Sequence, residues 1–491
     1  MRVLTVGDQS TVSKYATRRP GLRSKINTQS EFNFQPSTLQ ITNEYYAKYE
    51  AISALLDEHP EITDAVHADL AEALEDAAVR DGRGAKFKFT SDTILRIVLC
   101  QIIEGASLRQ IVIRVDDSSF LRHFVRICNG PMIDFTAYCK LRNCIRPQTW
   151  KKVNDILARA AARENRIEGD QLRIDTTAVE TNIHWPTDSS LCWDAYRTLA
   201  RLIERIREID PVVVGDRRVL LKKVKRLQQR IARKASKNAR SAEALKPLYI
   251  RLFGLVESIL QWSGDIAESL GPKIARHRYA PVVQATMETC LNDLVRFQAL
   301  GTRVLDQARR RIIDQETVPN EEKIFSIFEP HTELLIRGKA GKPIEFGHMI
   351  QIQQVQAKFI TDYEVFETKP VEYQLLDSSI KRHKELFGKH PDQLSADKGY
   401  YESMEQITRL EKIIEVVAIN KKGKRTEAET ERETDPAFRH AQRFRAGVEG
   451  TISFLKRVLG LCRCCNKGWE HYAAMVGATV LAHNLLILAR C

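Results

Sequence analysis

No long uninterrupted apolar run occurs in this chain of 491 residues. The longest stretch, Ala473 to Ala489, is short for a membrane span and is broken by His483 and Asn484. It reads as a buried helix packed on a sheet. The first residues, MRVLTVGDQSTVSKYATRRP, are polar and basic and lack the apolar centre of an export signal, so a cytoplasmic protein is expected. Regular cysteine spacing is also missing. The ten cysteines fall irregularly, which excludes a disulfide framework of the kind small secreted proteins use. Cys462, Cys464 and Cys465 contain one CxxC, and Cys139 and Cys144 make a looser pair, but no second pair at knuckle spacing completes a zinc site. Free thiols are the expectation. No internal repeat is evident.

What the chain does have is core material and positive charge. A hydrophobic content of 43% at this length is enough for a sizeable core divided over two or three domains. Lys and Arg total 76 against 63 Asp and Glu, a formal charge of +13. That balance favours a polyanionic partner, though only weakly. The distribution says more than the sum. Between Arg217 and Arg240 the chain carries Lys222, Lys223, Lys225, Arg226, Arg230, Arg233, Lys234, Lys237 and further Arg without one acid. Exposed helices ordinarily mix signs to avoid repulsion, so this run is expected to neutralise DNA phosphates. A solvated coiled-coil face is the plainer alternative. The run lies inside a helical stretch, residues 194–319, with Leu, Ile and Val at helical spacing.

Ahead of it, residues 1–90 read as a basic, helical arm and residues 91–165 as a string of short amphipathic helices. SDTILRIVLCQII, SLRQIVIRV and SSFLRHFVRI each open on Ser, a cap former, and Asp134 to Cys144 follows a Gly-Pro turn. Such an array suits a helix-turn-helix unit with its last helix toward the major groove. An ordinary helical domain with solvated arginines has the same pattern.

Three acids stand apart from the rest. Asp175 follows Leu172 to Ile174 and Asp397 follows Leu394 to Ala396, which places each at the end of a short strand. Glu449 lies in RFRAGVEGTISFLKR, four residues after Arg445 and seven before Lys456, one helical face with an acid between two cations. Two strand-end aspartates and a helical glutamate suit a pair of Mg2+ ions, with Mn2+ as a substitute, because hard cations take oxygen ligands. Phosphodiester cleavage or transfer is the expected chemistry. Around these acids, Glu333 to Ile336, Gly347 to Gln354, Phe359 to Phe366 and Ile413 to Ile419 read as strands. Ser378 to Leu386, Ser403 to Glu411 and Pro436 to Val458 read as helices, and Lys421 to Asp435 as a mobile polar loop. Glu180, His184 and Asp188 are near Asp175 in sequence and are possible supporting groups. His331 and His348 read as satisfied polar side chains in strands.

The segments RIDTTAVETNIHWPTDSSLCWD, FSIFEPHTELLIRGK, EFGHMIQI, SADKGYYES and FRAGVEGTISFLKRVLGLCR resemble signature stretches of the DDE transposases of bacterial insertion sequences, ISNCY-type members above all, from about residue 90 onward. The resemblance implies an α/β catalytic core of RNase H-like type, a mixed sheet flanked by helices, made of residues 166–193 and 320–491 and interrupted by the helical insertion. It implies Asp175, Asp397 and Glu449 as the metal-binding triad, and Arg445 and Lys456 as the basic members of a Tyr-Arg-Glu-Lys signature. Gln442 stands at the Tyr position, and His348-Met349 stands where many relatives have a Lys. The implied activity is cutting and joining of double-stranded DNA at terminal repeats, on the nucleoid, by a homodimer that holds two ends. A transposase-derived protein that binds DNA without cutting, and a stand-alone nuclease, are the competing readings. The intact acids weigh against the first and the dedicated basic regions against the second.

Overall fold

The structure, a computed structural model, describes residues 37–81, 89–235, 242–339 and 342–490. Most of the basic part of the expected N-terminal arm, Lys237, Arg240 and the Ala340-Gly341 turn lie outside those residues. The protein is mixed α/β and mostly helical, with a mixed seven-strand sheet and an all-helical N-terminal region. It divides into two bodies, one of residues 1–180 and 348–491, the other Thr181–Gly347.

The first body opens with helices α1 (Gln40–Glu58), α2 (Pro60–Asp81), α3 (Ser91–Ile103), α4 (Leu108–Asp117), α5 (Ser119–Phe124), α6 (Phe135–Cys144) and α7 (Pro147–Arg163). Their starts follow ordinary capping chemistry, in which a side-chain oxygen takes an otherwise orphaned N–H. Thr90, Ser107, Ser118 and Asp134 each accept from the first turn, and Ser107 forms a capping box with Gln110. α3 is buried on nearly every side, so its one cation needs internal partners. Arg96 donates to Asp92 at 3.0 Å and to Asp57 at 3.1 Å.

Strands β1 (Gln171–Thr181), β2 (Glu333–Lys339), β3 (Lys342–Gln354), β4 (Ile360–Val365), β5 (Gln393–Ala396), β6 (Val416–Ile419) and β7 (Arg463–Cys464) make the sheet. Its order is β2-β3-β1-β5-β6, with β4 added to β3 and β7 to β1. β1, β5 and β6 run parallel, and β3 is antiparallel to both β2 and β4. β1 continues well beyond the expected Leu172 to Ile174, because the Thr- and Val-rich TTAVET that follows is itself strand-forming. Asp175 therefore sits within β1, and only Asp397 lies just past a strand end.

The second body holds α8 (Asp188–Ile209), α9 (Pro211–Val214), α10 (Leu221–Ala235), α11 (Ala242–Ala275) and α12 (Pro281–Ile312) around a separate apolar core that includes Leu199, Leu252, Val256 and Leu294. Back in the first body, α13 (Leu376–Phe387) and α14 (Met404–Glu411) share a small core with β1, β5 and β6. The polar stretch Lys421 to Asp435, expected as a loop, contains helix α15 (Glu427–Thr434). Its signal is the T-x-x-E spacing of Thr426 and Glu429, a complete capping box. Lys421 closes onto Glu429 at 2.6 Å and Arg425 onto Glu433 at 2.7 Å.

Two helices finish the chain, α16 (Pro436–Arg457) and α17 (Trp469–Leu488). α17 is long and apolar enough to cross a membrane, but it is a core helix, packed on α7, α3, α1 and β4. The polar residues that break its apolar run are satisfied internally. Asn484 accepts from the Ile360 N–H at 3.0 Å and donates to its carbonyl at 2.8 Å, and His483 lies 2.9 Å from the Lys358 carbonyl. Among the described residues, the cysteines form no disulfide.

Candidate functional site

Residues that alternate along a strand face opposite sides of the sheet. On β1 this sends Arg173 and Asp175 toward α16, and Thr176 toward Glu372. The parallel pairing of β1 and β5 registers Arg173 with Ser395 and Ile174 with Ala396. Just past the last registered pair, Asp175 and Asp397 come close enough to repel one another. Asp397 accepts from the Lys398 N–H at 2.7 Å and Asp175 from the Thr176 N–H at 2.8 Å. Asp175 is largely buried, and burial raises its carboxyl to about 6. Arg445 opposes that rise, while Asp397 and Glu372 add to it by repulsion.

Arg445 carries the link to the third acid. Its guanidinium lies 3.7 Å from Asp175 and 3.8 Å from Glu449, one turn further along α16. Glu449 is 70% exposed, so packing does not fix its rotamer. Lys456 is on the last turn of the same helix. Gln442, at the signature's Tyr position, donates to the Ala418 carbonyl at 2.6 Å and accepts from Arg445 at 3.2 Å. It thereby ties the cation of α16 to the end of β6.

α16 is drawn onto β1 by a buried charge. Arg173 donates to Gln354 at 2.7 Å and to the Phe444 carbonyl at 2.6 Å, with its guanidinium 4.5 Å over the Phe444 ring. Burial lowers Arg173 to about 10. Gly447 is required here, since a Cβ would overlap the Arg173 guanidinium.

Glu372 carries no mark in the sequence. It accepts from the Thr176 hydroxyl and packs against Gly399, where a Cβ would overlap its carboxylate. The pairing of an acid in VEYQLL with a glycine some 30 residues later has no local signature; only the fold joins them. The possible supporting groups have other partners. Glu180 binds Arg463 at 2.8 Å, Asp188 binds Arg311 at 3.0 Å, and His184 lies 3.4 Å from Asp194. His331 pairs with Glu329 at 2.9 Å, and His348 is buried beside Trp469 and Tyr472.

The donor chemistry of Asp175, Asp397 and Glu449, all carboxylate oxygen, suits a hard divalent cation. They are not a closed cage: among the described residues, no group of three or more His, Cys, Asp or Glu is gathered to hold an ion. In the second body, Lys222 to Lys234 of the basic run lie along α10, whose buried residues are Val224 and Ile231. Arg217 is paired with Asp265 at 3.3 Å. Lys222, Lys223, Lys225, Arg226 and Arg230 have no carboxylate partner among the described residues, and all are exposed. Compared with family profiles, with curated proteins and with solved structures, the chain finds no match.

Proposed function

We propose that this chain is a DDE transposase with an RNase H-like catalytic core, which cuts and rejoins DNA at the ends of its own insertion sequence. The observation that carries the reading is the parallel pairing of β1 and β5, which brings Asp175, on β1, close to Asp397, just past the end of β5, beneath the helix of Arg445 and Glu449. Supporting it is the strand order β4-β3-β1-β5-β6, antiparallel where β3 meets β4 and parallel across β1, β5 and β6.

Asp175, Asp397 and Glu449 would hold Mg2+, which in such sites activates a water and stabilises the leaving oxygen. The chain's own residues do the rest. Arg445 offsets the repulsion between the acids and is positioned to donate to a phosphate oxygen as charge develops there. Arg173 and Gln442 fix the helix and the guanidinium that carry this chemistry. The helical region of residues 91–165 and the cations of α10 would contact the DNA ends, held by a homodimer.

A transposase-derived protein that binds without cutting is the second reading, and one feature favours it: Glu449 leans toward Arg445 and does not close on the aspartates. Cleavage of a supercoiled plasmid bearing the element's ends, with Mg2+, separates the two. Wild type is expected to nick at the ends, and Glu449→Gln to bind equally well and not cut. Binding without cutting by both proteins would put the second reading ahead, and cutting by both would remove Glu449 from the triad.

A further inference from the structure

We infer that the second body carries a groove for a single, unpaired nucleic-acid strand, formed between α10 and the first half of α11, an inference that takes the class of its partner from the DNA reading above. The groove encloses about 1030 Å³. One wall is the row Lys222, Arg226, Arg230, with Lys223 beside it. At four-residue spacing this row runs about 12 Å along the helix. Arg251, from α11 and outside the basic run, faces the groove from the other element. Among the described residues, no carboxylate lines it. Like charges four residues apart on a helix repel one another, so this arrangement costs the folded chain something that a polyanion would offset.

The floor decides which polyanion. Leu220 and Leu221, 42% and 36% exposed, lie beside Leu227 and Leu255 between the cations. A duplex turns phosphates and groove edges outward and keeps its base faces stacked inside, so it has nothing to lay on leucine. An unpaired strand offers both phosphates for the rim and apolar base faces for the floor. The volume lies at the upper end of pockets for small organic molecules, about 300–1,000 Å³, enough for a few nucleotides. Gly254 lines the groove and has open space where a Cβ would stand, so a larger side chain can be placed there. Ends that are cut and moved expose such strands.

Fluorescence anisotropy of the full chain, without divalent metal, with a labelled oligo-dT strand and a duplex of equal length tests this. Arg251→Glu and Gly254→Leu, the second adding bulk and no charge, should each weaken single-strand binding about tenfold or more. Duplex binding should change much less. Unchanged single-strand affinity in both variants, or equal losses for strand and duplex, overturns the inference. So does competition by polyglutamate as effective as by unlabelled strand, which would make the groove a site for acidic peptide. Strand binding is read in metal-free buffer, separately from any cutting in Mg2+. Strand binding by a wild type that never cuts DNA would therefore sink the catalytic proposal and leave the groove standing.

Discussion

The acids around Asp175 and the cations of α10 are both gatherings of like charge, yet they are held in opposite ways. At the acid site Asp175 is largely buried while Asp397 and Glu449 are exposed, and the acids are tied to named partners: Thr176, Lys398, Arg445 and, through Arg445, Gln442. Along α10, Lys222, Lys223, Lys225, Arg226 and Arg230 are exposed and have no carboxylate partner among the described residues, so water and salt screen them. Charge in a low-dielectric setting is screened little, and its effect depends on geometry; exposed charge is screened within about a Debye length, and its effect depends on ionic strength. The first is suited to chemistry on one bond and the second to holding a long polyanion.

The largest expected difference between the regions is therefore in turnover. Asp397→Asn should lower the rate of DNA cutting by at least a hundredfold, about 3 kcal/mol in barrier, with DNA affinity unchanged. Reversing Arg226 should weaken binding and leave the cutting rate of saturated enzyme close to wild type. Single-turnover kinetics at saturating protein measures both, and a large loss of saturated rate in the Arg226 variant would break the division of labour.

The acid site should also show its burial in stability. The Asp175 carboxyl holds its proton up to about pH 6 in the folded chain, against about 3.9 when unfolded. The stability this proton brings is full below about pH 4 and is lost as pH rises through 6. Asp175→Asn keeps the neutral group at every pH. In metal-free buffer the variant should be more stable than wild type above pH 6, by up to about 3 kcal/mol, with the gap closed near pH 4. Urea titrations across that range measure it; a gap that persists at pH 4 would show that the gain is not electrostatic.

Two glycines extend the contrast. Gly447→Ala would press a methyl onto Arg173, which is anchored on both sides and cannot yield, so a loss of about 1–3 kcal/mol is expected. Gly254→Ala, in a helix with open space around it, should instead stabilise by up to about 1 kcal/mol. Thermal melts of the two variants should move in opposite directions.

What is legible in the sequence follows the same division. Asp175, Asp397, Arg445 and Glu449 stand out because each is marked locally, by a preceding β-rich run or by helical spacing, and the basic run stands out because charge is visible without a fold. Glu372, Arg173 and Arg251 are not visible. Glu372 and Arg251 reach their places only through tertiary packing, and Arg173 looks like any strand arginine until Phe444 and Gly447 close over it. The extension of β1 past Asp175 escapes a reading that ends the strand at that acid. Helix α15 escapes one in which polarity outweighs a cap signal that is present at Thr426 and Glu429.

The smallest expected effect tests the exposed side of the comparison by itself. Lys222, Arg226 and Arg230 follow one another at four-residue spacing, so Arg226 has a like charge one turn away on each side. Arg226→Glu would turn two repulsive neighbours into two attractive ones without touching the buried face, which rests on Val224 and Ile231. A small rise in Tm at low ionic strength is expected, shrinking as salt is added, because exposed pairs are screened within about a Debye length of 10 Å at 0.1 M. A gain that survives high salt would mean that Arg226 is held by something other than solvent, and the contrast between the two regions would lose its physical basis.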